Sequence, residues 1–182
     1  MKHILTTIAA LTIIIAVPLY YGSTYYYYSP LYQPITIATA VIHPTKGNTA
    51  SGLVTFVQNK QGVLITANIS GLTPGEHGFH IHEFGDCACD DAVCAGDHFN
   101  PTGQRHGNPA DQKRHMGDLG NITADEHGNA IYSYTDQHIT LNGPHSIIGR
   151  TVIVHAQKDD YISQPTGNAG ARLGCGVIGI KQ

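Results

Sequence analysis

Two histidines separated by a single residue, His80 and His82, lie in the segment GFHIHEF, which is predicted to be a β-strand. Side chains alternate between the two faces of a strand, so both imidazoles emerge on the same side and can bind one metal ion. His155 ends the apolar segment TVIVH, where an unpaired imidazole would be costly to bury but useful as a metal ligand. These three histidines indicate a metal site built on two strands.

A long segment with almost no apolar periodicity, residues 85–117, contributes further donors of the same kind. It carries His98, His106 and His115, and Asp118 follows three residues after the last of them. Three imidazoles and one carboxylate suit zinc, whereas imidazole nitrogen suits copper and zinc alike. The strand histidines with one shared loop histidine would therefore make a copper site, and a single ring could bridge two metals.

The four cysteines are too few for a disulfide scaffold, and their spacing is uneven. Cys87, Cys89 and Cys94 lie close together, whereas Cys175 stands alone near the C-terminus. One long-range disulfide from the cluster to Cys175 is the simplest pairing. A zinc site on the three clustered cysteines is the alternative, although the run CACDDAVC lacks paired C-x-x-C hooks.

The overall composition excludes some classes of partner. Charged residues make up 13% of the 182 residues and the formal net charge is -3, so neither a basic face for nucleic acid nor an acidic tail is present. The 21 glycines and nine prolines, with apolar residues in short runs, favour many short strands joined by turns.

The elements that must position the donors read as antiparallel strands. The segments ITIATAVI, SGLVTFVQ and GVLITANIS are predicted to form a meander, and strands return at GDLGNIT, NAIYSYT, GRTVIVH and CGVIGI. The fold is therefore predicted to be all-β: an eight-stranded antiparallel Greek-key barrel or immunoglobulin-like sandwich with long metal-binding loops.

The N-terminus is a separate region. Residues 4–21 are uncharged and about 18 residues long, the short limit for crossing a bilayer, so residues 1–22 are predicted to be a signal peptide or a signal anchor. Residues 23–34 form a Tyr-rich linker, and 35–182 the folded domain. Either fate of the apolar segment implies an extracytoplasmic protein, secreted or tethered to a membrane, in an oxidising compartment.

The motifs of the folded domain resemble the Cu/Zn superoxide dismutase family over residues 35–182. They occur in the family's order and spacing: GFHIHEFGD, AGDHFNPTG, RHGNP, RHMGDLGNITAD, IIGRTVIVH and GNAGARLGCGVIGI. The likeness is greatest to the eukaryotic-type branch, chiefly in HEFGD and GVIGI. The resemblance implies dismutation of superoxide to oxygen and hydrogen peroxide, with one copper and one zinc per subunit.

The resemblance also implies a role for each donor. The implied ligands of copper are His80, His82, His98 and His155, and those of zinc are His98, His106, His115 and Asp118, so that His98 bridges the two ions. Asp159 matches the carboxylate that orients His80 and His106. Arg172 matches the arginine that guides the superoxide anion to copper. Cys175 matches a disulfide cysteine whose partner is predicted to be Cys87, with Cys89 as the alternative.

This sequence departs from the family pattern between His155 and Arg172, where the loop is short and lacks the usual Lys and paired Glu, although Thr166 remains. Steering of the anion should then rest more heavily on Arg172. The family also forms homodimers, which implies a contact through the small and apolar residues Gly85, Ile148, Gly149, Val177 and Ile180.

Two other functions are compatible with parts of the pattern. A non-enzymatic copper-binding or copper-delivery protein could use the same domain, but such relatives tend to lose a copper histidine or the guiding arginine, and both are kept. A zinc hydrolase could use the H-x-H pair, but HIHEFGD lacks the further histidine of the H-x-H-x-D-H type. The sequence leaves open whether Asn68 and Asn121, both in N-x-S/T contexts, are glycosylated.

Overall fold

A closed ring of antiparallel strands is the frame of residues 33–181, which are the residues that the computed structural model describes. The predictions for residues 1–22, and for most of the linker at 23–34, lie outside these residues. Contacts group Ile35–Gln182 as one compact unit. Among the described residues, no helix has the length and apolar character needed to cross a membrane.

Nine strands and one turn of 3-10 helix are present in this part of the chain. The strands are β1 Ile37–Pro44, β2 Ser51–Asn59, β3 Gly62–Ser70, β4 Gly75–His82, β5 Asp118–Ala124, β6 Ala130–Asp136, β7 Thr151–His155, β8 Arg172–Val177 and β9 Gly179–Ile180. The 3-10 turn is Val93–Ala95. The sheet order β2-β3-β6-β5-β4-β7-β8-β1 closes through pairing of β1 with β2, and short β9 pairs beside β1.

The predicted all-β barrel is confirmed, and its connections are Greek-key. Strands β4, β5 and β6 are consecutive neighbours, while β3 lies beside β6 and β7 lies beside β4. Two connections must therefore cross the barrel, the pattern of a Greek key. The longest connection, residues 83–117, carries His98, His106 and His115, and the connection of residues 156–171 carries Asp159.

The core lies inside the ring because inward positions are apolar at every second residue. In β3, Val63, Ile65, Ala67 and Ile69 are buried and their neighbours are half-buried or exposed. The other large side chains of this core include Phe56, Phe79, Ile81, Leu119, Ile122, Leu141 and Ile147.

Strand β4 begins earlier than predicted. The segment GLTPGEHG is a connection by its glycine and proline content, yet Gly75 to Gly78 pair with Ala124 to Asn121 of β5. The ladder with β5 outweighs the poor strand propensity of these residues, as tertiary pairing often does. The result is a longer strand that enters the site with His80 and His82 at its end.

The disulfides agree with one prediction and correct two others. Cys87 is bonded to Cys175, with Cα atoms 5.8 Å apart. Cys89 is bonded to Cys94 instead of Cys175, so a second disulfide is present that the sequence reasoning missed. No cysteine is free within residues 33–181, which makes the alternative of a cysteine zinc site wrong.

Candidate metal centre

Strand β4 directs its histidines away from the barrel core. Phe79 and Ile81 are fully buried in the core, and His80 and His82 alternate with them on the opposite face. Both histidines have no exposed surface because the two long loops cover that face. An outward-facing pair of buried imidazoles therefore arises from the simple period of a strand.

The loop of residues 83–117 folds back onto the end of β4 by backbone hydrogen bonds. The Phe99 amide donates to the Ile81 carbonyl at 2.8 Å, and the Ile81 amide donates to the Gly117 carbonyl at 2.9 Å. A Cβ atom at Gly117 would overlap the Ile81 carbonyl, so only glycine fits this approach. These contacts set His98 opposite His82 in an isolated β-bridge.

Four imidazoles converge at the first of two donor clusters, which we call the imidazole cluster. One ring nitrogen of each residue lies within 4.8 Å of the others, and all four residues are buried: His80, His82, His98 and His155. The Nε2 atoms of His82 and His155 are 3.3 Å apart. The structure thus brings together every donor that the sequence assigned to copper.

The second group, the carboxylate cluster, contains the other four predicted donors, His98, His106, His115 and Asp118, also buried and within 4.8 Å. Asp118 Oδ1 lies 2.8, 3.0 and 3.3 Å from the Nδ1 atoms of the three histidines in that order. Its other oxygen, Oδ2, accepts hydrogen bonds from the backbone amides of Gly107 and His115. His98 belongs to both clusters, with Nδ1 toward Asp118 and Nε2 toward the imidazole cluster.

The ring nitrogens that face away from the clusters are held by hydrogen bonds. Asp159, fully buried, accepts from His80 Nε2 at 2.8 Å and from His106 Nε2 at 2.9 Å, so that it joins the two clusters. His82 Nδ1 donates to the Gly96 carbonyl. His155 Nδ1 donates to the Gly170 carbonyl. Such partners fix the ring orientation of metal-binding histidines.

Two amide side chains, which the sequence reasoning missed, brace this arrangement. Gln164 accepts from the His106 amide and donates to the His106 carbonyl, both at 2.9 Å. Asn121 accepts from the Asp159 amide at 2.7 Å and donates to its carbonyl at 3.0 Å. Each amide thus clamps the backbone of one site residue. Each amide is 38 or more residues from the backbone it holds, so no local sequence pattern predicts the contact.

The histidines confined to the imidazole cluster and His106 of the carboxylate cluster have pKa shifts of opposite sign. In the imidazole cluster, burial and neighbouring imidazoles depress the pKa values of His80 and His82 well below 6.5. Burial likewise lowers the pKa of His155 to about 3. These rings are therefore neutral, which is the form that binds metal.

In the carboxylate cluster, charge outweighs burial. Burial acts to lower the pKa of His106, but close contacts with Asp118 and Asp159 raise it to about 9. Burial alone would raise the pKa of Asp118, but the three histidines hold it far below its usual range. Asp118 is therefore a carboxylate at any ordinary pH.

The chemistry of the buried atoms fits two metal ions. Within the described residues, four buried ring nitrogens form no hydrogen bond: His80 Nδ1, His98 Nε2, His106 Nδ1 and His115 Nδ1. The last two lie 3.0 and 3.3 Å from Asp118 Oδ1 but without hydrogen-bond geometry. Each of these atoms points into one of the two clusters. A buried nitrogen without a partner is costly unless it binds something, and a metal ion satisfies it.

Arg172 lies next to the imidazole cluster because β7 and β8 pair with a bulge that sets His155 opposite Arg172. Its Nη1 donates to the Ala92 carbonyl at 2.6 Å and its Nη2 to the Gly96 carbonyl at 2.7 Å. Partial burial lowers the pKa of Arg172, but a guanidinium stays charged at neutral pH. The group is half-buried, fixed and positively charged.

The family model for copper/zinc superoxide dismutase matches residues 50–178. The chain belongs to the Cu/Zn superoxide dismutase family. The resemblance inferred from the motifs is thereby confirmed, and membership implies copper and zinc for the two donor clusters.

Named relatives agree with this membership. The chain is 47% identical to the Cu-Zn superoxide dismutase of Onchocerca volvulus, over 79% of this chain and 98% of that one. It is 46% identical to the extracellular Cu-Zn superoxide dismutase of Brugia pahangi, over 79% of this chain and 76% of that one. Among solved structures, the clock protein EA4 superimposes with a TM-score of 0.76 at 44% identity, covering 82% of this chain and 98% of that chain.

Proposed function

We propose that this superoxide dismutase family member converts two superoxide anions and two protons into oxygen and hydrogen peroxide. The observation that carries the proposal is His98, whose two ring nitrogens face two adjacent donor clusters of different chemistry. An all-imidazole cluster suits a copper ion that changes oxidation state, and three imidazoles with one carboxylate suit a closed zinc site.

The proposed copper ligands are His80, His82, His98 and His155, and the proposed zinc ligands are His98, His106, His115 and Asp118. Bound copper would supply the redox chemistry by taking an electron from one superoxide and giving it to a second. Asp159 holds His80 and His106 in register through its two oxygens, so the spacing of the two sites depends on it.

His98 also has a proton to give. With Nδ1 engaged on the zinc side, its Nε2 would take up a proton when it does not bind copper and donate that proton to the peroxide formed in the second half-reaction. The second proton comes from solvent. A cavity of about 250 Å³ lined by His98, His115 and Thr166 provides a path for water to this ring.

Arg172 is the residue proposed to attract the substrate. Superoxide is an anion, and a fixed positive charge beside the copper ligands raises its local concentration. Arg172 lines a different cavity, whose wall also contains Asp90 and Asp91, and these two carboxylates work against an anion. The guanidinium of Arg172 therefore has to outweigh them.

The alternative of a copper-delivery protein is not favoured, because all four imidazoles and the arginine are present and brought together. Metal analysis of the purified full chain, combined with a superoxide dismutation assay, tests the proposal. We expect about one copper and one zinc per chain and activity that disappears when copper is removed. Full metal content without dismutation would overturn the enzymatic proposal in favour of metal binding alone.

A homodimer is proposed through the five residues named from the sequence. Val177 and Ile180 are 43% and 59% exposed, and Gly85 packs directly against Gly149. Ile148 is half-buried beside them. Small and apolar exposed residues suit a flat contact between two copies. Native mass measurement of the full chain tests it, and a monomer at micromolar concentration would contradict it.

An extracytoplasmic location is proposed from the two disulfides, which persist in oxidising compartments. The relative from Brugia pahangi is named extracellular. Residues 1–22 would then direct export, and residues 4–21 would tether the protein if they are retained. Intact mass of the exported protein separates the two fates, and its recovery from the cytosol would contradict both.

A further inference from the structure

The second disulfide, Cys89–Cys94, lies beside the two backbone carbonyls that accept hydrogen bonds from Arg172. Cys89 and Cys94 are separated by four residues, and their Cα atoms are 5.7 Å apart, within the range that a disulfide spans. The Cys87–Cys175 bond ties this loop to β8, so the short bridge is not needed for that attachment. It closes the turn of residues 89–94 on itself.

The turn holds one residue in an uncommon backbone conformation. Ala92 has φ of 57°, in the left-handed region that residues with a Cβ atom seldom adopt. Its amide donates to the Cys89 carbonyl at 2.9 Å, and its side chain is fully buried. This conformation points the Ala92 carbonyl at Arg172, whose Nη1 donates to it at 2.6 Å.

The other anchor of Arg172 lies two residues beyond the bridge. The Gly96 carbonyl accepts from Arg172 Nη2 at 2.7 Å and from His82 Nδ1 at 2.8 Å. A single short segment therefore orients both the guanidinium and one of the proposed copper ligands. The same segment contains two exposed carboxylates, Asp91 and Asp97, whose charges act on Arg172.

We propose that the Cys89–Cys94 disulfide is a positioning element that holds Arg172 in its substrate-guiding orientation. The bridge removes conformations in which Ala92 leaves the left-handed region and turns its carbonyl away. In those conformations the guanidinium would be free to pair with Asp91 or Asp97, which would neutralise its charge. The proposal rests on the proposed function, because it assigns the disulfide to the capture of superoxide.

The test is a double-mutant cycle in the full-length, metal-loaded protein. Replacing both cysteines of the bridge with serine should lower the second-order dismutation rate by roughly threefold to tenfold, a part of the gain that steering supplies. Copper and zinc contents should not change, and the rate should depend less on salt. In an Arg172→Gln background, the same serine pair should have no further effect. Ala88→Ser, exposed on the same loop, is the matched control.

Two further measurements distinguish a loss of Arg172 positioning from a general loss of folded structure. Affinity of the Cu(II) protein for inorganic azide, followed by its absorbance, should fall by the same factor as the rate. Thiol counting by mass spectrometry should find no free thiol in the parent protein. Free thiols at Cys89 and Cys94 would overturn the proposal, as would additive losses in the Arg172→Gln background.

If the variant with serine at both positions 89 and 94 loses its metals, mild reduction of the parent protein provides a second test. Both cysteines of the short bridge are half-buried, whereas the long-range bridge pairs half-buried Cys87 with Cys175, which is 3% exposed, so reductant should reach the short bridge more readily. The rate should fall as this bridge opens with Cys87–Cys175 intact by mass, and an unchanged rate would overturn the proposal. An inactive parent protein is a different result, because it would refute the dismutase proposal before any variant is compared.

Discussion

The imidazole cluster and the carboxylate cluster use similar donors but are held in place by different means. In the imidazole cluster, His80, His82 and His155 lie on β4 and β7, so the barrel ladder fixes their positions. In the carboxylate cluster, His106 and His115 lie on a loop, and only Asp118 is on a strand. A loop has no ladder, and its donors must be organised by side chains.

This difference explains where the charged and amide groups are found. Asp118 contacts all three loop histidines and Gln164 clamps the His106 backbone. Asp159 binds His106 and also His80 of the imidazole cluster. The imidazole cluster contains no carboxylate of its own. We infer that the carboxylate cluster is organised mainly by electrostatics and the imidazole cluster mainly by the barrel, which makes the two clusters separable by mutation.

The largest effect is expected from removing one ligand of each cluster in turn. His82→Gln should abolish copper binding while zinc stays bound. The dismutation rate should fall by more than roughly 100-fold, which is the upper range for losing a residue that only hydrogen-bonds to a metal ligand. His115→Gln should release zinc with a smaller loss of activity, because the four proposed copper ligands remain. Metal analysis and the dismutation rate measure both, and His127→Gln, exposed, is the control. Equal losses of both metals in both variants would show that the clusters are not separable.

The next effect concerns the charge beside the imidazole cluster. Arg172→Gln should leave both metals bound, since a guanidinium is not a ligand, but lower the dismutation rate about tenfold at low salt. The remaining rate should respond less to added salt. Arg105→Gln removes an exposed arginine elsewhere and should change little. Full activity of the Arg172 variant at low ionic strength would refute the guiding role.

The opposite pKa shifts of His155 and His106 predict a stability maximum in the metal-free protein. The folded-state pKa of His155 is lowered from 6.5 to about 3, so its contribution is present above pH 6.5 and is lost as the pH falls toward 3. That of His106 is raised to about 9, so its contribution is present below pH 6.5 and is lost as the pH rises toward 9. Each such group changes the free energy of unfolding by up to about 1.4 kcal/mol per pH unit within its window.

Urea unfolding of the metal-free protein from pH 3 to 9 measures the free energy of unfolding on both sides of this maximum, the acid limb below it and the alkaline limb above it. His155→Gln should flatten the acid limb and His106→Gln the alkaline one. A single variant that flattened both the acid and the alkaline parts of the stability profile would contradict the opposite pKa shifts of His155 and His106.

The smallest effect is expected from the amide clamp. Gln164→Ala removes two hydrogen bonds to the His106 backbone and should weaken zinc binding about tenfold without changing copper affinity. Competition with a zinc chelator measures this affinity. Gln157→Ala, exposed on the same loop, should behave like the parent protein. If Gln164→Ala lost copper rather than zinc, the prediction that Gln164 supports zinc binding through His106 would be wrong.

The sequence predicted the barrel well because strand periodicity is local. Alternation in GVLITANIS is visible without any partner, and β3 follows it residue for residue. The start of β4 at Gly75 was missed because only pairing with β5 makes a strand of that segment. The Cys89–Cys94 bond was missed for a related reason, since spacing alone does not show which cysteines meet.

The identity and order of the seven donors, and hence family membership, were determined by the sequence alone, because ligand chemistry belongs to residue types and the spacing of His80 and His82 is a property of any strand. The tertiary structure decided which nitrogen of each ring faces a cluster, which backbone Gln164 and Asn121 clamp, and where Arg172 points. These contacts join residues 38 to 80 positions apart, and only the closed barrel brings them within hydrogen-bond distance.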